Sequence, residues 1–404
     1  MAPAGSFEAL MAAIQGGADS VYFGLEKLNM RARSSFNFND GDISRIISLC
    51  KKHKVKAYLA LNTVVYDNEI QPVKKIIEKA AKFRINGIIA SDQSVIMLAK
   101  EKNIETHLST QLNISNFESL KFYRDYADVV VLARELTLDQ IRKIVNAVKK
   151  NKIKGPSGKL VRIELFVHGA LCMAVSGKCY ISLHQYGNSA NRGECFQACR
   201  RSYIVKDKET GDELEIDNNF ILSPKDLCTI SFIDKIIETG VSVLKIEGRA
   251  RSPEYVKTVT SCYNEAIEAY LNGSFNSEKT IGWETRLKTV YNKGFWEGYY
   301  LGGKIPELST IYGSASTKRK VYIGKGVDYY KKIKVAEFIL EHDSVRPGDE
   351  VLITGPTTGV IETVITEIHT DKGTASKVKK GESFSFPLSI QIRPSDKLYK
   401  VVNS

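Results

Sequence analysis

Residues 56–92 read KAYLALNTVVYDNEIQPVKKIIEKAAKFRINGIIASD, and this stretch decides the fold class. It begins with an apolar run, Lys56–Asn62, and ends with a second one, Gly87–Asp92. Between them, residues 70–85 carry apolar side chains at the three- and four-residue spacing of an amphipathic helix. A strand, a helix and a strand in this order predict a parallel βαβ unit.

The same alternation of short apolar runs and helical patterns continues through the first 250 residues. The remaining strand candidates are Ser20–Gly24, Thr106–Gln111, Asp128–Glu135, Arg162–Gly169 and Ser242–Arg249, preceded by MAPAG at the start. Eight such units predict an α/β fold, a (β/α)8 TIM-like barrel over residues 1–304, with a doubly wound open sheet as the alternative. Because Met1 falls almost inside the first strand, either the true start lies upstream or the barrel seam is weakened.

Two segments do not follow this alternation of strand and helix patterns. Residues 169–241 form an insertion, much longer than an ordinary connection, that holds five of the seven cysteines. Residues 315–404 show short strand patterns separated by turn signals, which predict a small C-terminal antiparallel β-barrel domain.

Composition limits the class of protein. The chain has 404 residues, of which 43% are hydrophobic, so it is neither disordered, collagenous nor a coiled coil. No apolar run approaches the roughly 20 residues of a membrane span, and no signal peptide is recognisable, so we expect a cytoplasmic protein. The formal charge of +12 favours a polyanionic partner such as nucleic acid, although solvated lysine-rich helix faces produce the same excess.

Polar side chains follow the apolar strands at their carboxyl ends. They are Asn62, Asp92, Gln111, Arg134, Glu135, His168, Glu247 and Arg249. In a barrel of parallel strands these ends converge on one mouth, where ligands bind. We therefore expect these side chains to surround a common site.

Four cysteines stand in the pattern C-x6-C-x15-C-x3-C. They are Cys172, Cys179, Cys195 and Cys199. Disulfides are rare in the cytoplasm, so the pattern indicates an iron–sulfur cluster, a closed structural zinc site or unligated thiols. A hydrolytic pair of Cys172 with His168 is a further hypothesis, although the sequence has no HExxH, GxSxG or P-loop motif.

The tract Glu164–Ser182, ELFVHGALCMAVSGKCYIS, resembles the signature of peptidase family U32, the collagenase-like proteases. The tracts APAGSFEAL, GADSVYFG, VVLARELTLDQI, NRGECFQACR and LKIEGRARSPEYV extend the likeness over essentially the whole chain. The resemblance implies a TIM-barrel-like catalytic domain followed by a small β-domain. It also implies kinship with iron–sulfur proteins that support oxygen insertion into tRNA wobble uridine, 23S ribosomal RNA cytidine or ubiquinone precursors.

The resemblance assigns the four cysteines, Cys172, Cys179, Cys195 and Cys199, to an iron–sulfur cluster that we expect to be [4Fe-4S]. It favours 5-hydroxyuridine formation in tRNA with prephenate as cosubstrate, because the chain length and the terminal β-domain are similar to that branch. Ribosomal RNA hydroxylation is the first alternative, and a U32-type peptidase is the second. The expected partners are RNA, an electron donor and a paralogous U32 subunit.

Roles for the other strand-end residues follow from their chemistry. Arg134, Arg249 and His168 are predicted to bind a carboxylate such as prephenate, because guanidinium groups pair bidentately with carboxylates. Asn62 and Gln111 are predicted substrate contacts. Glu164 and Glu247, placed with His168 in the predicted catalytic set, either orient the arginines, accept protons or form structural ion pairs. Four aromatic side chains are candidates for stacking on an unpaired base, namely Tyr22, Phe23, Tyr180 and Tyr186.

Overall fold

The structure, a computed structural model, describes residues 1–33, 37–175, 178–204, 206, 208–211, 220–303 and 306–404. The predicted domain boundary at residue 304 lies outside these residues. None of the helices in this part of the chain is both long and apolar enough to cross a membrane.

Ten strands form the N-terminal sheet. They are β1 (Ala2–Ala4), β2 (Ser20–Gly24), β3 (Lys56–Leu61), β4 (Gly87–Ala90), β5 (Thr106–Leu108), β6 (Val129–Val131), β7 (Arg162–Gly169), β8 (Asp226–Cys228), β9 (Val243–Ile246) and β10 (Phe295–Trp296). Strands β1 to β7 pair in chain order and all in parallel, and β9 runs parallel to β7. The predicted α/β class with a mostly parallel sheet is confirmed.

Hydrogen bonds also connect β9 with β1. The amino nitrogen of Met1 donates to the carbonyl of Leu244 at 2.7 Å. The amide of Ile246 donates to the carbonyl of Met1 at 3.1 Å. Strand β9 therefore lies beside β1.

Ten α-helices complete the described part of the chain. They are α1 (Phe7–Gln15), α2 (Ile43–Lys52), α3 (Ile70–Lys82), α4 (Gln93–Glu101), α5 (Phe117–Tyr123), α6 (Leu138–Lys150), α7 (Ile181–Tyr186), α8 (Ile233–Glu238), α9 (Pro253–Leu271) and α10 (Ser277–Lys288). Several begin where a polar side chain accepts a hydrogen bond from a free backbone N–H of the first turn. Asp92 does so for α4 and Thr137 for α6. Helix α3 buries Val73, Ile77 and Ala80, which is the apolar face that its sequence spacing predicts.

The cysteine-bearing insertion adds a strand that its sequence pattern did not predict. Strand β8 runs antiparallel to the end of β7, with His168 opposite Cys228 and Gly169 opposite Leu227. Strand β10 then pairs in parallel with β8. The carboxyl end of β7 is consequently covered instead of open.

The C-terminal strands form an antiparallel β-domain, as the sequence predicts. They are β11 (Lys318–Tyr330), β12 (Val335–Leu340), β13 (Ser344–Val345), β14 (Glu350–Gly355), β15 (Gly359–Val364), β16 (His369–Thr370), β17 (Gly373–Thr374), β18 (Val378–Lys379), β19 (Ser383–Pro387) and β20 (Lys397–Asn403). Their core is separate from that of the parallel sheet and includes the stacked rings of Phe338, Phe384 and Phe386.

Helix α1 links the two domains through the side chain of Gln15. Its Nε2 donates to the carbonyl of Thr358 at 2.8 Å, and its Oε1 accepts from the amide of Val360 at 2.9 Å. Leu352 and Val360 pack into the core of the N-terminal domain. The β-domain is therefore fixed against α1.

Replacing Gln15 with alanine removes both hydrogen bonds. We expect Gln15→Ala to lower the free energy of unfolding by about 1–2 kcal/mol, since each such bond contributes roughly 1 kcal/mol net. Urea unfolding followed by circular dichroism measures the change. The control is Gln93→Ala, at an exposed position of α4, which should stay within about 0.5 kcal/mol of the unmodified protein. Equal loss in both variants would contradict the linking role of Gln15.

Candidate functional site

A cavity of about 690 Å³ opens at the carboxyl ends of the parallel strands. Strand-end residues form one side of it, and the cysteine-bearing insertion forms the other. Of the strand-end residues and quartet cysteines predicted for the site, ten line this cavity: Asn62, Gln111, Arg134, Glu135, Cys172, Cys179, Cys195, Cys199, Glu247 and Arg249. Glu164 and His168 do not belong to its described lining.

The insertion is anchored to the strand-end loops by charge and by close backbone contact. Arg192 donates to both carboxylate oxygens of Glu69, at 2.8 and 2.6 Å. Gly193 has a φ of 87°, and a side chain there would collide with the backbone carbonyl of Asn29. These contacts hold residues 178–200 over the cavity.

Four thiols of the insertion share one wall of the cavity. Cys172 is exposed, while Cys179, Cys195 and Cys199 are partly buried, and none forms a disulfide. Burial raises the pKa of the Cys199 thiol, the charge of Arg200 opposes this, and the proximity of the other three sulfurs adds to the increase. The four sulfurs are therefore close enough to interact electrostatically.

A single-ion site is not assembled in the residues that the structure describes, because no three His, Cys, Asp or Glu side chains there could hold one metal ion together. A polynuclear cluster differs from a single metal ion, because each thiolate binds a different iron atom of the cluster. The sulfur atoms therefore lie farther from one another than the ligands of a single ion do. A shared wall of four soft sulfur donors fits such a cluster in its chemistry.

Positive charge dominates the cavity lining. Among the described residues, seven cationic side chains line it, namely Arg31, Arg134, Arg200, Lys245, Arg249, Arg251 and Lys293, against the two carboxylates of Glu135 and Glu247. Such an excess in a partly desolvated space favours an anionic ligand.

Glu247 is paired with Arg31, a residue that the sequence analysis did not single out. Arg31 donates from Nε and Nη2 to one carboxylate oxygen, at 3.1 and 2.8 Å. Burial opposes ionisation of Glu247, but Arg31 and then Arg251 outweigh it and lower its pKa to about 2. Glu247 is therefore the anion of an ion pair with Arg31, whereas the arginines that it was expected to orient are Arg134 and Arg249.

Two arginines keep hydrogen-bonding capacity. Within the described structure, Nη1 of Arg249 and Nε of Arg134 are buried without a hydrogen-bond partner. Arg249 is only 5% exposed, and burial lowers its pKa to about 10, so it is still a cation at neutral pH. Arg134 stacks 3.9 Å from the ring centre of Phe166 and donates from Nη1 to the carbonyl of Ala170 at 2.9 Å. Buried donors without acceptors are costly, and an anionic ligand would satisfy them.

Gly24 makes room for Arg249. A β-carbon at this position, the last residue of β2, would collide with Nη1 of Arg249 and with the side chain of Asn29. A larger residue at this position would therefore displace the Arg249 guanidinium or the side chain of Asn29.

The amide side chains of Asn62 and Gln111 form a network at the ends of β3 and β5. Asn62 donates from Nδ2 to Ser109 at 3.3 Å and to Gln111 Oε1 at 3.4 Å, and its Oδ1 accepts from the amide of Met30. Ser109 donates to the same oxygen of Gln111. Both predicted contact residues thus face the cavity in fixed orientations.

Glu164 lies below the cavity, fully buried, and not at a strand end. It accepts from Lys245 Nζ at 2.6 Å and contacts Nδ1 of His107 at 2.8 Å. Burial opposes its ionisation, but Lys245 and His107 prevail and lower the pKa of Glu164 to about 2. The structure thus gives it the ion-pair role that was one of the expectations.

His168 is enclosed in the core instead of reaching the mouth. It is 2% exposed, lies among the rings of Tyr255, Tyr263 and Phe295, and contacts the Tyr263 hydroxyl at 3.4 Å. Burial and then the charge of Arg251 lower its pKa to about 3. Strand β8 covers this end of β7, so His168 reaches neither the cavity nor Cys172 as a hydrolytic partner.

Other predicted positions separate into cavity, core and surface. Tyr22 lines the cavity, whereas Phe23 is a core residue and Tyr180 is 70% exposed. Asp92 caps α4 through the amide of Ser94. The cysteines outside the quartet, Cys50, Cys228 and Cys262, are buried.

Five of the cations in the described lining were not predicted from the sequence: Arg31, Arg200, Lys245, Arg251 and Lys293. Lys245 carried a usable signal, since a lysine inside the apolar strand SVLKIEGR needs a buried partner. Arg31 belongs to an irregular loop, and in a loop the spacing of apolar residues does not indicate where a side chain points.

Comparison with known proteins relates the chain to one family. The sequence profile of Peptidase family U32 matches residues 5–309. A Porphyromonas gingivalis protein named Collagenase is 56% identical over 400 residues, covering 99% of this chain and 97% of its own. The Bacillus subtilis tRNA hydroxylation protein P1 is 30% identical over 411 residues, covering 99% of this chain and 94% of its own. The 23S rRNA 5-hydroxycytidine C2501 synthase of Escherichia coli is 37% identical over 260 residues, covering 64% of this chain and 37% of its own.

The burial of neutral His168 predicts an acid-dependent loss of stability. Its ordinary pKa of 6.5 applies to the unfolded chain, and its pKa in the folded protein is about 3. Between these values the unfolded chain binds the extra proton, so the free energy of unfolding falls as pH decreases from 6.5 toward 3.

We expect His168→Gln to reduce this dependence by up to ~1.4 kcal/mol per pH unit between pH 6 and 4. Urea unfolding of both proteins across that range measures the slopes. Identical slopes would mean that His168 has the same pKa in the folded protein as in the unfolded chain.

Proposed function

Because the chain belongs to peptidase family U32, we propose that it is an RNA-modifying hydroxylase that forms 5-hydroxyuridine at the tRNA wobble position. In this proposal the strand-end cavity binds prephenate or a similar carboxylate beside an iron–sulfur cluster. The observation that carries the proposal is one cavity that combines four thiols with arginine donors lacking partners.

The cysteine wall would hold the cluster. Its ligands would be Cys172, Cys179, Cys195 and Cys199, which line the cavity and belong to one anchored insertion. When bound, such a cluster supplies one-electron redox chemistry next to the ligand.

The arginines of the opposite side would bind the cosubstrate. Arg249 and Arg134 offer their unpaired nitrogens to a carboxylate, and Glu247 keeps Arg31 oriented beside them. Asn62 and Gln111 are fixed by their own network and would contact polar groups of the ligand. His168 has no part in this arrangement.

Support for tRNA as the substrate comes from the extent of the likeness. The relative named for tRNA hydroxylation aligns over nearly its full length, β-domain included. The relative named as a ribosomal RNA hydroxycytidine synthase aligns over a minor part of its own length. Ribosomal RNA hydroxylation remains the alternative within the same chemistry.

We also propose that the parallel sheet closes into a (β/α)8 barrel. The support is the pair of hydrogen bonds that joins β9 to β1, together with the chain-order pairing of β1 to β7. Closure would leave no exposed edge among the eight parallel strands.

A peptidase is the second candidate, favoured by the name Collagenase of the 56% identical relative. In the described residues Cys172 faces the cavity, but His168 is enclosed elsewhere. A peptidase would therefore need another base for this thiol. Degradation of gelatin by protein whose quartet cysteines are all replaced would support hydrolysis at a different site.

The cluster is tested on anaerobically purified protein. We expect about four irons and four sulfides per chain and a broad absorption band near ~400 nm. Cys172→Ala should lose the band, and it should fail to restore 5-hydroxyuridine to tRNA of a strain that lacks the gene. The control is Cys50→Ala, whose thiol is buried in α2, and which should keep both properties.

Stoichiometric zinc, or tRNA modification that persists in Cys172→Ala, would contradict the proposal. Metal-free protein that binds tRNA tightly without modifying it would favour an RNA-binding scaffold.

The anion site is tested by calorimetric titration of prephenate. We expect Arg249→Gln to weaken binding about 10- to 100-fold, since a charge-assisted hydrogen bond contributes roughly 1.5–3 kcal/mol. Arg319→Gln, which removes an exposed charge from β11, should leave the dissociation constant within about two-fold. Equal weakening in both variants would indicate only a general effect of charge.

A further inference from the structure

A row of ionisable side chains crosses the interior of the parallel sheet. Arg162 Nη2 lies 2.6 Å from a Glu105 oxygen, and the other Glu105 oxygen lies 2.9 Å from Nε2 of His107. Nδ1 of His107 lies 2.8 Å from Glu164, whose second oxygen accepts from Lys245 at 2.6 Å. Every neighbouring pair is within hydrogen-bonding distance.

The two ends of this row lie in different surroundings. Glu105 precedes β5 at the amino end of the strands, and its side chain is 26% exposed. Lys245 lies near the carboxyl end of β9 and lines the cavity. His107 and Glu164 between them are 1% and 0% exposed. The row therefore connects solvent on one side of the sheet with the cavity on the other.

A purely structural role does not account well for this row. Buried ion pairs seldom stabilise a protein more than well-packed apolar side chains would, because desolvation of the charges is costly. The buried side chains beside the row, on the same face of the strands, are the aromatic and apolar residues Tyr22, Tyr58 and Ile89. A continuous polar path through that core points to a function for it.

We propose that Glu105, His107, Glu164 and Lys245 form a proton-transfer chain, and that Lys245 is the catalytic acid that protonates the ligand bound in the cavity. This inference rests on the proposed function only in requiring that a ligand reacts in the cavity. It adds the proton source, which neither the cysteine wall nor the arginines supply.

The proton balance is one in and one out per turnover. The Lys245 ammonium gives a proton to an anionic oxygen of the ligand and becomes an amine. A proton then passes from Nδ1 of His107 to Glu164, and after rotation of that carboxyl group it passes to Nζ of Lys245. The ring then keeps its proton on Nε2, and a half-turn of the ring places this N–H toward Glu164 and the bare nitrogen toward Glu105. That nitrogen takes up a proton that Glu105 has received from solvent, so no electrons move and the chain returns to its first state.

Electrostatics favours this direction of transfer. Burial lowers the pKa of Lys245, and Glu164 only partly offsets that effect, so the ammonium is a stronger acid than an exposed lysine. The anion of Glu164 is stabilised mainly by Lys245 and His107. When Lys245 loses its proton, one of these charges disappears and the pKa of Glu164 rises, which allows it to carry the next proton.

Other charges also face Lys245 and enter its titration. Arg134 and Arg249 lower its pKa from the cavity side, and the amino group of Met1 lies near enough to interact with it. Its Nζ also lies 4.7 Å from the ring centre of Tyr22. The titration of Lys245 therefore has to be measured in the whole folded protein.

The first measurement needs no reaction. In full-length protein labelled with ¹⁵N-lysine, the Lys245 signal is assigned by its absence in Lys245→Met and followed from pH 5 to 11. We expect Glu164→Gln to lower the titration midpoint by about one pH unit or more, because the carboxylate that favours the ammonium is gone. An unchanged midpoint would overturn the proposal, whether or not the protein hydroxylates RNA.

The second measurement is the rate of tRNA modification in water and in deuterium oxide. Lys245→Arg keeps the positive charge but cannot release a proton, and we expect its rate to fall ~100-fold or more, as for loss of a general acid. Glu105→Gln, at the exposed end, should slow turnover several-fold and increase the solvent isotope effect. Glu78→Gln, which breaks the ion pair with Lys102 away from both the row and the cavity, is the control for lost charge.

Full activity of Lys245→Arg, or equal isotope effects in Glu105→Gln and Glu78→Gln, would reduce the row to a structural ion network. Absence of modification in the unmodified protein would instead contradict the proposed function, while the ¹⁵N titration would still test the coupling of Lys245 to Glu164.

Discussion

The common direction of the parallel strands is the constraint on which the site depends. Because β1 to β7 and β9 all run the same way, their carboxyl ends meet on one side of the sheet. Asn62, Arg134 and Arg249 follow three different strands, yet they line one cavity. An antiparallel sheet of the same strands would have scattered these side chains over both ends.

The insertion completes the cavity and at the same time alters the strand from which it begins. It carries four thiols to the mouth, where they line the same cavity as the arginines. It also returns as β8 along the end of β7, which encloses His168 among aromatic rings. One segment therefore supplies four proposed ligands and excludes a fifth candidate residue from the same site.

Buried charge is arranged at two depths. At the mouth, Glu247 holds Arg31 and leaves Arg249 with an unsatisfied donor. Below it, Glu164 lies between Lys245 and His107 without reaching the cavity. The upper group is suited to bind an anion, and the lower group connects the cavity floor to the opposite side of the sheet.

Sequence alone determined the α/β class, the antiparallel C-terminal domain, the strand ends and the cysteine quartet, because period, turn chemistry and residue spacing are local properties. The tertiary structure decided which residues share the cavity. Strand β8 was not predicted, because it lies within the insertion, outside the alternation of strand and helix patterns that identified the parallel strands. Arg31 and Lys245 were missed for the same physical reason: the direction of a charged side chain depends on a partner distant in sequence, Glu247 for Arg31 and Glu164 for Lys245.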